Sequence, residues 1–166
     1  MKIETSKISF AEYHKMAQRT ANTTTARDKL INGALGLCGE LDEYVCEKLF
    51  VENRVKEAGD VMWYVAELAE GLGASIADIA AIDDEDSGAD IYHEAALIAD
   101  AVKKHAFQGH KIEKYEIMHG LNRIMGSIVR RLSLYGYSTD EILRGNVEKL
   151  LERYPNGFEA EKSIHR

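Results

Sequence analysis

Residues 30–72 read LINGALGLCGELDEYVCEKLFVENRVKEAGDVMWYVAELAEGL. Apolar side chains recur at helical intervals, through Leu35, Leu37 and Leu41 and again through Val61, Met62, Val65 and Leu68. The stretch reads as two helices, 30–49 and 53–72, joined by a tight turn near Phe50–Asn53 into an antiparallel hairpin. It contains two acidic pairs, Glu40-x-x-Glu43 and Glu57-x-x-Asp60. Residues three apart share a helix face, about 4.5 Å apart along the axis. Glu43 lies eight residues before Val51 and Asp60 nine after it, so the pairs are expected to be nearly level. Four carboxylates brought together repel one another unless protons or cations occupy the space between them. Hard oxygen donors with no cysteine or histidine among them suit Mg²⁺ or Mn²⁺.

An isolated Glu-x-x-Glu is ordinary decoration on a solvated helix, and this chain has 28 acidic residues to place. Two level pairs beside apolar stripes are different. Carboxylates there are partly desolvated, which is costly without a partner. The expected metal ligands are therefore Glu40, Glu43, Glu57 and Asp60.

The rest of the chain fits the same fold class. At 166 residues it can bury a real core as one all-α domain. Its single proline, Pro155, lies near the end, and Ala, Leu, Glu and Lys abound. Helices are expected near 9–21, 30–49, 53–72, 75–82, 90–106, 112–134 and 138–153. Asp28, Ser75 and Ser138 or Thr139 are candidate N-caps. Gly71, Gly73 and Gly136 are candidate stops. From Tyr154 onward the tail reads as irregular. Cys38 and Cys46, eight apart on one helix, are roughly 12 Å apart by helical rise, too far for a disulfide, and read as buried thiols.

A net charge of −7 disfavours nonspecific contact with a nucleic-acid backbone. No apolar run approaches the roughly 20 residues that span a bilayer. The N-terminal MKIETSKISF has no signal-peptide core, so a cytoplasmic location is expected.

A faint repeat divides the chain. GLGASIADIA (71–80) resembles LYGYSTDEIL (134–143), with Gly73 matched to Gly136 at an offset of 63. That offset lays Glu57 on Gly120 and Asp60 on Arg123; with a gap, Glu40 falls on Glu94 and Glu43 on Leu97. The expected organisation is a metal-binding repeat (1–82), an acidic linker (83–89), a degenerate repeat without the acidic cluster (90–154) and a tail (155–166). Two other metal motifs were weighed. Asp83, Glu85, Ser87, Gly88 and Glu94 fit an EF-hand count at five positions, but Asp90 stands where an apolar residue is needed. Asp90-x-x-His93 and Glu116-x-x-His119 echo di-iron bundles, yet the order of the four motifs does not match that site.

The hairpin, with LINGALGLCGELDEY followed by VKEAGDVMWYVAELAEGLG, resembles the MazG-like nucleotide pyrophosphohydrolases of the all-α NTP pyrophosphohydrolase superfamily. EYHKMAQRT (12–20), KKHAFQGHKI (103–112) and NVEKLLERYPNGFEAEKSIHR (146–166) resemble that family's N-terminal helix, inter-helix loop and C-terminal segment. The family order is altered here, because the FQGH-type loop and the tail belong to the carboxylate-poor half. The chain thus resembles two fused family units. The resemblance implies divalent-metal-dependent hydrolysis of a nucleoside triphosphate to monophosphate and pyrophosphate, with Mg²⁺ or Mn²⁺ as cofactor. It further implies Asn146, Lys149, Arg153 and Tyr154 as substrate contacts, and association into a homodimer of pseudo-dimeric chains. Asn32, Trp63 and Tyr64 are candidates to line a base pocket; Tyr64 stands one turn from Asp60. Lys103 and Lys104 read as solvated surface residues. The alternatives are a non-catalytic helical module that binds nucleotide or a partner, and a di-metal carboxylate oxidoreductase.

Overall fold

The computed structural model describes residues 7–83 and 90–161. They form α1 (Phe10–Gln18), α2 (Ala26–Cys46), α3 (Val51–Gly71), α4 (Ile76–Ala80), α5 (Ile91–Gln108), α6 (Lys114–Ser133) and α7 (Thr139–Arg153). Among the described residues there is no strand, and no helix is long and apolar enough to cross a membrane. The EF-hand positions Glu85, Ser87 and Gly88, most of the acidic linker and the end of the tail lie outside the described residues.

Short polar side chains start five of the seven described helices, all but α3 and α6. Ser9, Ser75 and Ser138 each close a reciprocal box with an acid three residues on, namely Glu12, Asp78 and Glu141. Helix α2 starts earlier than its apolar pattern indicates, because Thr25 and not Asp28 is the cap. The Thr25 hydroxyl accepts from the Asp28 N–H at 3.1 Å, and Asp28 sits in the first turn, where the helix dipole favours a negative charge. At the other ends, Gly73 and Gly136 take φ of +66° and +86° just beyond α3 and α6.

Close backbone approach sets the α2–α3 hairpin. A Cβ added at Gly33 would lie 2.6 Å from the Leu68 side chain, and one at Gly71 would lie 3.0 Å from Leu30. At Gly36 it would meet the Tyr64 ring. These three contacts fix one antiparallel register. Carried toward the turn, it sets Glu40 level with Asp60 and Glu43 level with Glu57. The two pairs are thus offset by about one helical turn from the expected match of Glu43 with Asp60. The physical reason is the connection. Helix α2 stops at Cys46, and Glu47 folds the turn by accepting the Leu49 and Phe50 N–H groups at 3.0 and 3.2 Å.

One core runs through the bundle, with Leu37, Leu41, Met62, Leu68, Ile124 and Leu132 fully buried. Helix α5 packs against α2 and α6, α7 lies on α3, and α4 lies on α6. The α4–α6 contact is tied by Asn122 Nδ2, which donates to the carbonyls of Ile79 (2.9 Å) and Ile82 (3.2 Å). The two cysteines are exposed rather than buried. Leu37, Leu41 and Tyr44 take the inward stripe of α2 and leave Cys38 and Cys46 on its outer side.

Gly36→Ala is expected to destabilise the protein by about 1–3 kcal/mol, the usual cost of overpacking a closed core. Urea unfolding measures it; an unchanged midpoint would refute the close-packed hairpin.

Candidate metal centre

Helix α2 contributes Glu40 and helix α3 contributes Glu57 and Asp60. One carboxylate oxygen from each lies within 4.8 Å of the others. Glu43, the fourth expected ligand, is outside this tight group. It is exposed and borders the same cavity. The glycine-set register brings Glu40 level with Asp60; Glu57, one turn nearer the hairpin's end and level with Glu43, joins them, whereas Glu43 does not.

The cavity, of about 890 Å³, is lined by the carboxylates and by two further groups of residues. One is formed by Lys149, Arg153, Tyr154 and Phe158 from α7 and the segment after it; the other includes Asn22, Asn32, Trp63 and Tyr64. Asn32, Tyr64, Lys149, Arg153 and Tyr154 all line this cavity. Trp63 packs against the core, its N–H donates to Thr20 Oγ1 at 2.9 Å, and it borders the cavity. Arg153 lies over the Tyr154 ring, 5.4 Å from its centre.

Asn146 lies beneath the cavity instead of lining it. Only 2% exposed, it donates from Nδ2 to Asp60 Oδ1 at 2.9 Å and accepts at Oδ1 from the Tyr13 hydroxyl at 2.8 Å. The other Asp60 oxygen, Oδ2, is paired with Lys149 Nζ. Helix α7 comes this close because Gly59 offers no side chain; a Cβ there would lie 2.8 Å from that of Asn146.

The sequence reading missed Tyr13, Thr20, Asn22 and Phe158. Tyr13 carries a signal in retrospect, as an aromatic residue on the inward side of a short N-terminal helix. Thr20, Asn22 and Phe158 lie in connecting segments, where no periodicity marks a facing direction.

Crowding shows in the protonation equilibria. Burial, and then the charges of Asp60, Glu43 and Glu57, push the Glu40 carboxyl up to about 7, against a smaller opposing pull from Lys149. Glu57 is raised for the same reasons, burial first and Asp60 next. Burial, followed by the charge of Asp60, raises the Tyr13 phenol well above its ordinary value. The donor chemistry fits a divalent cation. Three carboxylates with no nitrogen or sulfur among them form a hard, oxygen-only set with an open side toward the cavity.

Helices α5 and α6 carry a different arrangement of charged side chains. Arg123 Nη1 pairs with Glu94 Oε1 at 3.2 Å, and Glu94 is only 8% exposed. Both border a separate cavity of about 680 Å³, along with His110, Glu116 and His119. Asp90 caps α5 by accepting from the Tyr92 and His93 N–H groups. Among the described residues, the group able to hold a metal contains no histidine. Lys103 and Lys104 are surface residues, both paired with Asp100.

No protein-family model, curated protein or solved structure matches this chain.

The raised Glu40 and Glu57 values give the protein a pH signature. A carboxyl that holds its proton more tightly when folded lowers stability as pH rises from its unfolded value, 4.5, through its folded value, about 7 for Glu40. The carboxylates of Glu12, Asp78 and Asp140 are shifted the opposite way and are ionised throughout this window. Between pH 5 and 7.5 in chelator, stability is expected to fall by on the order of 1 kcal/mol, a figure discounted for the partial exposure of the group. Millimolar Mg²⁺ should reverse the loss. Thermal melts at the two pH values check it, and a flat or rising profile in chelator would contradict the crowded cluster.

Proposed function

We propose that this chain hydrolyses nucleoside triphosphates to nucleoside monophosphate and pyrophosphate, using Mg²⁺ or Mn²⁺ held by Glu40, Glu57 and Asp60 with Glu43 at the rim. The observation that carries this reading is the three-carboxylate group set in a cavity that cationic, aromatic and amide side chains also line. The resemblance to MazG-like pyrophosphohydrolases supports the choice of substrate. A triphosphate is itself strongly anionic, so it enters an acidic cleft only with divalent cations between the charges. Bound there, the cations supply Lewis-acid polarisation of the phosphate and an acidified water.

The chain's own residues do the rest. Lys149 and Arg153 face the phosphates and stabilise the charge that leaves on pyrophosphate. A carboxylate of the quartet takes the proton of the attacking water. Water oxygen bonds to the α-phosphorus as the bond to the bridging oxygen breaks. Tyr64, Trp63, Asn22 and Asn32 offer a stacking surface and amide donors and acceptors to the base. Asn146 and Tyr13 hold Asp60 in place from below.

The same reading treats the chain as two fused units with one centre. Two observations support it: α7 of the second unit lies on α3 of the first while α4 lies on α6, and Arg123, at the position of Asp60, neutralises Glu94, at that of Glu40. A non-catalytic nucleotide-binding role is the second reading, favoured by the double engagement of Asp60 with Asn146 and Lys149. Turnover distinguishes the two.

With Mg²⁺ or Mn²⁺, a panel of ribo- and deoxyribonucleoside triphosphates should yield monophosphate and pyrophosphate, and excess chelator should abolish the reaction. Release of orthophosphate and a diphosphate would contradict the bond assigned. Glu57→Gln is expected to retain the fold and lower kcat by roughly 100-fold or more through loss of a hard ligand. A wild-type rate in that variant would remove Glu57 from the centre.

Arg153→Ala is expected to raise KM by about tenfold, the equivalent of one charge-assisted hydrogen bond. A non-hydrolysable triphosphate analogue should saturate at one ligand per chain in calorimetry. Two equivalent sites per chain would refute the single-centre reading.

A further inference from the structure

Asp60 joins α3 to α7 through both of its oxygens, and the two joints differ in kind. The Oδ1 joint is fixed. Asn146 is 2% exposed, its own oxygen accepts from Tyr13, and its Cβ is seated against Gly59, so it has no room to turn. The Oδ2 joint is made by Lys149, one residue short of a full turn further along α7, whose side chain is 42% exposed. A lysine ammonium rides on a flexible four-carbon stem and pairs as a point charge, so it can leave one oxygen and find another without moving the helix. Asn146 thus holds Oδ1, and Oδ2 is the Asp60 oxygen that a cation can take.

We propose that Lys149 is a displaceable counter-cation, which competes with a divalent ion for Oδ2 of Asp60 and is released into the cavity as the ion binds. The inference rests on the metal-centre reading above and adds a coupling to it. An ammonium and a divalent ion at contact distance from one carboxylate oxygen compete, because their like charges repel across it. The displaced ammonium stays on the cavity wall, within reach of Arg153 on the next turn of α7. There it faces the phosphates of an incoming nucleotide. Metal loading therefore removes a cation from the carboxylates and adds one to the substrate side. The coupling is reciprocal, so whatever draws Lys149 away from Asp60 tightens metal binding.

The signature is a change of opposite sign in two affinities. Mn²⁺ titrated calorimetrically into the nucleotide-free protein should bind Lys149→Gln about tenfold more tightly than wild type, within the usual range of inter-site coupling. Lys149→Arg, which keeps the charge, should bind Mn²⁺ no more tightly than wild type. In saturating Mg²⁺, a non-hydrolysable triphosphate analogue should bind Lys149→Gln about tenfold more weakly. Equal or weaker Mn²⁺ binding by Lys149→Gln would overturn the competition while leaving the metal centre standing. Unchanged analogue affinity would overturn the transfer of Lys149 to the phosphates. Failure of wild type and Lys149→Gln alike to bind Mn²⁺ would overturn both this inference and the metal-centre reading.

Discussion

Everything at the candidate site follows from the approach of α2 to α3. Three glycines, Gly33 and Gly36 on one helix and Gly71 on the other, let Leu68, Tyr64 and Leu30 sit against bare backbone. That contact locks the register, and the register forces Glu40 against Glu57 and Asp60. Left to electrostatics the carboxylates would separate. They stay together because the same helices bury Leu37, Leu41, Val61, Met62 and Val65 on the adjoining face, and the apolar area removed from water outweighs the repulsion of partly solvated charges. The strain of that bargain appears in the protonation of Glu40, held near neutrality by burial and by its neighbours.

Helix α7 completes the site from the far end of the sequence. Gly59 is again what permits it, since Asn146 needs the space of the missing side chain. The crossing gives the acidic face a hydrogen-bond donor and an ammonium, and adds cations to a cavity that aromatic and amide side chains also line. A chain with a net charge of −7 thereby concentrates both signs in one cleft, the arrangement that a cation-bridged polyanion requires.

The pair of α5 and α6 handles a nearly buried carboxylate differently. Glu94 is almost buried, and Arg123 lies across from it at hydrogen-bonding distance. A fixed guanidinium meets the need for a counter-charge that a mobile cation would otherwise meet, and it leaves no hard oxygen cluster behind. Gly120 gives room for the Glu94 carboxylate, which would lie 3.0 Å from an added Cβ.

The sequence by itself determined the all-helical class, the two acidic pairs and most helix limits. These depend on local matters: apolar period, the serine caps and the glycine stops, each read within a few residues. It misjudged what depends on a partner surface. Thr25 displaced Asp28 as a cap, and the cysteines turned outward because neighbouring leucines claimed the core. Glu40 falls level with Asp60, and Glu43 with Glu57, because the register is set by Gly33, Gly36 and Gly71 far from the turn rather than by counting from it. Only the tertiary structure decided that Asn146 and Lys149 meet at Asp60 and that Tyr13 bonds Asn146 and the Gly59 carbonyl behind it. Those contacts join residues 46 to 133 positions apart, and no periodicity within one helix encodes which face of another it will meet.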